Sequence, residues 1–333
     1  MGQPEKMSEG NSSTAPSVSV ITVIKRGGEA AFLSSLQNQE YGKPFEIVVV
    51  EGGNRSQARN FGVAQSRAPL ISFIDADCEA PPDWMAGLLL GLPDDEMVAG
   101  FGGVSRGKTS ASTREEAIDA VFSTYLGSLN SPSLISVPDT KRYLVNAISA
   151  HNCLYRRTAL IEVGGFDNGF LLNEDTDLCA RLREKGYRLI LDRSISVHHK
   201  RRASMADFTR QFFWYGVGRI RSMLTRPNCV DGKIVALFLT AIILAFLTPV
   251  FPFLGETALL GYLLAVTVAG VVGAKRVGAL RLLPVILALF IVEHFSYLIG
   301  LVVGMFMGRW KESETCESMQ MERHLVLPTG KRH

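Results

Sequence analysis

Leu70 to Ala80, read as LISFIDADCEA, is the stretch that decides the fold. Its first five residues, Leu70-Ile71-Ser72-Phe73-Ile74, have the length and apolar content of a buried strand. The run stops at Asp75-Ala76-Asp77, two carboxylates one residue apart. In an open α/β sheet, ligands sit in the crevice beyond the carboxyl ends of the strands. Paired carboxylates there can hold a divalent cation through oxygen ligands, and the cation can hold a diphosphate. The same residues also read as a solvated turn or a helix cap, because Pro81-Pro82 announces a helix close by. Taken alone, the stretch leaves both readings open.

Outward from it, the chain alternates. Val18 to Ile24 (VSVITVI) and Phe45 to Val50 (FEIVVV) read as strands, and Glu29 to Asn38 and Ser56 to Ser66 as helices. This β-α-β-α-β order implies parallel strands with right-handed crossovers. Glu51 and Asp75, both at strand ends, then fall on one edge of the sheet, where a nucleotide would bind. Further on, the spacing predicts a helix over 83–90, a strand over 97–104, a helix over 113–129, a loop over 131–139 and a strand over 150–155. Glu174 to Lys185 is a helix closed by Gly186, and strands follow at 188–191 and 195–198. Glu174, Asp175 and Asp177 crowd the first turn of that helix. Acids there favour the helix dipole, and spacing alone supports that reading. A carboxylate at a helix start facing the crevice could also act as a general base.

Length and charge bound the rest. A chain of 333 residues holds one large domain and something more. A formal net charge of +3 gives no reason to expect bulk nucleic-acid binding. The five cysteines are scattered without metal spacing and read as reduced thiols, which places the polar part on the cytosolic side. The polar, Ser- and Gly-rich residues 1–16 read as a disordered tail with no export signal. After His198-His199-Lys200-Arg201-Arg202, a basic run suited to a diphosphate or anionic headgroups, residues 205–232 combine aromatic and Arg residues as an interfacial helix does. Apolar runs at 234–254, 257–274 and 281–307 predict three spans within a membrane region 233–308, followed by a polar tail 309–333. Lys275, Arg276 and Arg281 mark the second loop as cytosolic. A third full crossing would put Arg309 and Lys311 outside, against that rule, whereas a re-entrant third segment would keep them inside. Glu293-His294 interrupts the last run, as a functional pair or a structural contact.

Laid out in order, VSVITVI, FEIVVVEGG, QARNFGVAQSRAPLISFIDADC, NCLYRRTALIEVGGFD, NEDTDLCARLREKGYRL and VHHKRRASMADFTRQFFWYGVGR resemble glycosyltransferase family 2 over roughly residues 17–225. The resemblance extends to members with membrane helices after the catalytic domain. It implies a GT-A fold over 17–204, a mostly parallel central sheet flanked by helices. It further implies that Asp77 ligates Mn²⁺ or Mg²⁺ on a sugar-nucleotide diphosphate, that Asp75 contacts the ribose or the metal, that Arg59 lies against the base with Glu51 nearby, and that Asp175 deprotonates the acceptor for inverting transfer. His199 would reach the metal or phosphates, and Asn152, Glu174 and Arg202 would lie on the acceptor side. Two departures alter the expected pocket: Lys25-Arg26-Gly27-Gly28 replaces a Pro-Thr-Tyr-Asn-like turn, and Glu51 stands where Asp is usual. A Gln-x-x-Arg-Trp motif is absent, since Gln211 precedes Phe212-Phe213-Trp214-Tyr215, which argues for adding one sugar. The expected partners are a nucleotide sugar, a lipid-linked or glycan acceptor of the cell envelope, and membrane lipids. A nucleotidyltransferase or a non-catalytic membrane scaffold are the rival readings.

Overall fold

A computed structural model describes residues 15–25, 32–107, 112–129, 131, 134, 141–201, 204–307 and 319–327. Arg202, residues 26–28 of the altered turn, most of the loop over 131–139 and residues 1–14 of the expected tail lie outside them.

The strands are β1 (Val18–Ile24), β2 (Phe45–Glu51), β3 (Leu70–Ile74), β4 (Cys78–Glu79), β5 (Val98–Arg106), β6 (Arg142–Leu144), β7 (Asn152–Arg156), β8 (Arg188–His199) and β9 (Gln320–Val326). The helices are α1 (Leu33–Gln37), α2 (Arg55–Gln65), α3 (Trp84–Gly91), α4 (Thr113–Phe122), α5 (Arg157–Glu162), α6 (Glu174–Glu184), α7 (Met205–Thr225), α8 (Gly232–Leu247), α9 (Pro252–Arg276) and α10 (Leu283–Phe306). All the strands join one sheet in the order β4-β8-β5-β7-β3-β1-β2-β9, with β6 paired on β8.

The parallel part expected from the alternation is present: β1 pairs in parallel with β2 and with β3. Beyond it the sheet is mixed, because β7 inserts antiparallel between β3 and β5. Both faces of the centre are covered. In β2, Ile47 and Val49 pack towards α1 and α3, and Val48 and Val50 pack with Ala58 and Val63 of α2. That is why FEIVVV reads as an unbroken apolar run: a strand buried on both sides has no solvent face to alternate with.

Several boundaries differ from the sequence reading. The two strands expected over 188–198 are one twelve-residue strand, β8, whose pairing with β5 shifts register between Gly102 and Val104. The helix over 113–129 ends at Phe122. The tail expected to be only polar contributes β9, antiparallel to β2. The first apolar segment forms a helix of 16 residues, about 24 Å at 1.5 Å per residue, short of the roughly 30 Å hydrocarbon thickness. Among the described residues, α9 and the segment containing α10 are long and apolar enough to cross a membrane. The segment read as an interfacial helix, α7, buries Phe208, Phe212, Val217 and Ile220. Phe208 and Phe212 pack with α4, α9 and α10 in one cluster.

Candidate active site

The acids sit where the strand geometry puts them. β3 ends at Ile74, and the amide of Cys78 donates to the carbonyl of Asp75 at 3.0 Å, closing a tight turn that carries Asp75 and Asp77. The chain then enters β4, where Cys78 pairs with His199 and Glu79 with His198 at the end of β8. This short pairing brings His199 Nε2 to 3.1 Å from Asp77 Oδ1, across more than a hundred residues of sequence. The Cys78 thiol is buried, and burial followed by the two neighbouring carboxylates pushes it well above its ordinary range.

A second acidic group faces the first through Arg59 of α2. Its guanidinium donates from Nη1 to Glu174 Oε1 at 2.6 Å and from Nη2 to Asp75 Oδ1 at 3.1 Å, and it lies 5.4 Å above the Phe166 ring. Burial opposes its charge, but Glu174 and then Asp75 hold it protonated, above its ordinary value. Burial likewise works against ionised Asp75, yet Arg59 and then Arg55 hold that carboxyl below the usual range. Arg59 thus bridges two carboxylates while still lining the cleft. Glu174, 5 % exposed, is the other end of that bridge.

Asp175 behaves differently. Asn173, the residue preceding α6, has φ +60°, a left-handed conformation that Asn tolerates better than most side chains. Its side chain donates to Ser222 Oγ of α7 at 3.4 Å. Asp175 follows in the first helical turn, where its Oδ1 accepts from the Thr176 amide at 2.7 Å. Burial, then the adjacent Glu174 carboxylate, pushes it up to about 6, with Arg59, the Thr176 amide and Arg219 working in the other direction. A carboxyl that ionises close to neutrality lies in the range a general base needs.

The two groups line adjoining cavities. A cleft of about 620 Å³ is lined by Asp75, Asp77, His199 and the basic Lys25, Arg55 and Lys200. A smaller cavity of about 160 Å³ is lined by Glu174, Asp175, Arg219 and Tyr297 of α10. Arg55, Arg59, Asp75, His151 and Tyr215 line both. Glu51 stops short of the cleft, and Gly52, Gly53 and Asn54 after it form the wall. Asn152, expected on the acceptor side, is fully buried: its Oδ1 accepts from Trp84 Nε1 at 2.8 Å and its Nδ2 donates to Val104 O at 2.9 Å. It ties β7 to β5 and α3. Its neighbour His151 is the residue that reaches the site, its ring stacked 6.0 Å from His199 and its Nε2 buried with no hydrogen-bond partner. Burial and then His199 push that imidazole down to about 4, so it is neutral. The AHN context gave no motif for it; only the fold lays it beside His199.

The chemistry of the cluster fits a divalent cation. Ligand atoms of Asp77, Cys78 and His199 lie within 4.8 Å of one another. A carboxylate oxygen and an imidazole nitrogen suit Mn²⁺ or a similar ion, while a buried, protonated thiol is a poor ligand for a hard cation.

The mixed sheet, the crevice at the carboxyl ends of β1, β2 and β3, and the helices packed beyond it define a protein of the GT-A class. The chain matches glycosyl transferase family group 2 over residues 70–307, more than half its length, and belongs to that family. It is 38% identical over 74 residues to the succinoglycan biosynthesis protein ExoA of Rhizobium meliloti, covering 22% of each chain. It is 30% identical over 160 residues to the pre-mycofactocin glycosyltransferase of Mycobacterium tuberculosis, covering 48% of this chain and 33% of that one. The match thus spans a third or less of these relatives' lengths. In fold it is similar to the mannosyltransferase PcManGT from Pyrobaculum calidifontis, solved with GDP-Man and Mn²⁺, with TM-score 0.50 and 15% identity over 85% of this chain and 87% of that one.

Proposed function

We propose that this chain is a cation-dependent, inverting glycosyltransferase that moves a sugar from a nucleotide-sugar donor to an acceptor held at a membrane, on the cytosolic face. The observation that carries this reading is the arrangement of Asp75, Asp77 and His199 in one cavity and Asp175 in the next, with Arg59 between them.

Asp77 and His199, with Asp75 beside them, would hold Mn²⁺ or Mg²⁺. When bound, the ion supplies positive charge against the diphosphate leaving group. Lys25, Arg55 and Lys200 line the same cleft and add to that charge. Asp175 takes the proton of the acceptor hydroxyl. The acceptor oxygen then bonds to the anomeric carbon, the bond from that carbon to the diphosphate oxygen breaks, and the nucleoside diphosphate leaves with the electron pair. A single displacement of this kind inverts the anomeric centre. Arg59 keeps Asp75 ionised and fixes Glu174 beside the base.

A lipid-linked acceptor is supported by the lining of the smaller cavity, where Asp175 shares a wall with Tyr297 of the apolar helix α10 and with Leu129 and Phe212. The cytosolic side is supported by the four described cysteines, all buried free thiols, and by Lys233, Lys275, Arg276 and Arg281 flanking the apolar helices. Similarity to ExoA, a succinoglycan biosynthesis protein, supports a role in cell-envelope glycan assembly.

The test is transfer from radiolabelled nucleotide sugars to a polyprenyl phosphate with Mn²⁺. Asp175→Asn is expected to lower turnover by ~10²–10⁴-fold while retaining donor binding. Asp77→Asn is expected to lose cation-dependent donor binding. Full turnover by Asp175→Asn would favour nucleotidyl transfer instead, and donor binding indifferent to both Mn²⁺ and Asp77 would discard the cation.

A further inference from the structure

Although α10 has the length and hydropathy of a span, both its ends lie against the catalytic half. Just before it, Arg281 Nη2 donates to Glu116 Oε2 of α4 at 2.6 Å. Midway, His294 Nε2 is 3.2 Å from the carbonyl of Leu126, and Tyr297 lines the cavity of Asp175. Just after it, the carbonyl of Met307 accepts from Arg221 Nη1 of α7 at 2.6 Å. α7 itself is pinned at its far end, where Arg226 pairs with Asp177 and Asp167. A span of 24 residues set upright would carry its far end ~36 Å from the face it started on.

The chain beyond α10 agrees. β9 pairs with β2 along seven residues, and Arg323 Nε lies 3.4 Å from Glu46 Oε2, a carboxylate 2 % exposed. Between α10 and β9 stand only residues 307–319, and GRWKESETCES within them carries five charged side chains that the hydrocarbon would not admit. The preceding helices also begin and end on this side. α8 leaves from beside Ile220 and Leu301, and α9 returns with Arg276 donating to the Ser123 carbonyl and Gly273 against Ala120 of α4.

We infer that the chain meets the membrane from one face only: α8 and α9 form a hairpin entering and returning to the catalytic side, and α10 lies in the plane of that face as a floor under the Asp175 cavity. The occupant of its outer face is the bilayer. Ile291, Phe295, Ile299, Val302 and Phe306 form one exposed stripe at helical spacing, opposite the buried Phe290, Tyr297, Leu301 and Gly304. α10 is 44% buried in its most apolar window against 22% for α9, as a helix resting on protein along its whole length should be. The expectation of three spans is thereby replaced by one entry and one return, which brings β9 back to the side of Lys275 and Arg276. An acceptor lipid could then reach Asp175 sideways from the leaflet, past Tyr297.

This inference rests on the membrane location proposed above and is independent of the chemistry. Full-length protein carrying Cys316→Ser, and one further cysteine, is reconstituted into phosphatidylcholine–phosphatidylglycerol vesicles. Glu322→Cys in β9 and Tyr125→Cys beside α4 are expected to react with an impermeant maleimide from the same side. Bimane probes at Val285→Cys, Ile299→Cys and Phe306→Cys are expected to be quenched equally, and more by a nitroxide at carbon 5 of the lipid chain than at carbon 12. Labelling of Glu322→Cys from the side opposite Tyr125→Cys overturns the inference, as does a probe at Ile299 quenched most by the deep nitroxide. Probes shielded from lipid in a dimeric protein would assign the stripe to a second copy and also overturn it. Failure to float with vesicles would remove the membrane reading itself, and loss of transferase activity alone would leave the topology standing.

Discussion

In the proposed chemistry, Asp175 is the residue whose ionisation links activity to stability. Its folded value of about 6 lies above the ordinary carboxylate range because burial and Glu174 disfavour the charge. A group raised on folding contributes stability that is fully present below its unfolded value and lost as pH rises through the folded one. Ionised Asp175 therefore strains the site above about pH 6. Asp175→Asn should melt higher than the parent at pH 8, on the order of a few degrees, with the gap closing towards pH 4; thermal melts across that range check it. Activity runs the other way, since the base works only when deprotonated. The kcat/KM of the parent should rise with pH through an acid limb near 6. Glu174→Gln removes the adjacent charge and leaves Arg59 nearer to Asp175 alone, so the limb should move to lower pH. A limb that stays in place would mean that Asp175 is not the group it reports.

At the level of elements, the contact of α7 with α10 depends on glycine. A Cβ on Gly300 would stand 2.0 Å from the Phe213 carbonyl, and one on Gly216 would stand 2.2 Å from that of Tyr297. Backbones this close leave no room for a side chain, the arrangement small residues permit between apolar helices. Gly300→Val should force the helices apart, lower stability by about 1–3 kcal/mol or more, and displace Tyr297 from the Asp175 cavity. Reduced transfer to a lipid acceptor with unchanged donor affinity, compared by kinetics and donor titration, would show that the damage is confined to that side. β4 is the other decisive element: two residues long, it closes the distance between Asp77 and His199. No periodicity reveals a strand so short, and its pairing with the end of β8 depends on the whole sheet being in place.

Across the whole molecule, the catalytic part and the apolar helices share a core. Ala117, Ile118 and Val121 of α4 and Phe208 and Phe212 of α7 pack with Val266 of α9 and Leu289 and Phe290 of α10. A chain ending at residue 231 would expose that surface and lose β9 from the edge of β2. It should elute as an aggregate in size-exclusion chromatography where the full chain in detergent runs as one species. A boundary drawn at the change in hydropathy therefore does not separate two folding units.

The acids at the strand ends, the β-α-β alternation, the family pattern and the apolar segments were all written locally, in residue type and short-range spacing, and needed no coordinates. Periodicity reports the environment a segment needs, so a doubly buried strand or a long apolar helix declares itself. It says nothing about which distant segment supplies that environment. The engagement of Arg59 with two carboxylates, the appearance of His151 at the site in place of Asn152, the return of the tail as β9 and the resting of α10 along the catalytic half were decided by tertiary packing. Each depends on partners brought together from far along the chain, where charge pairing, close backbone approach and burial act through space.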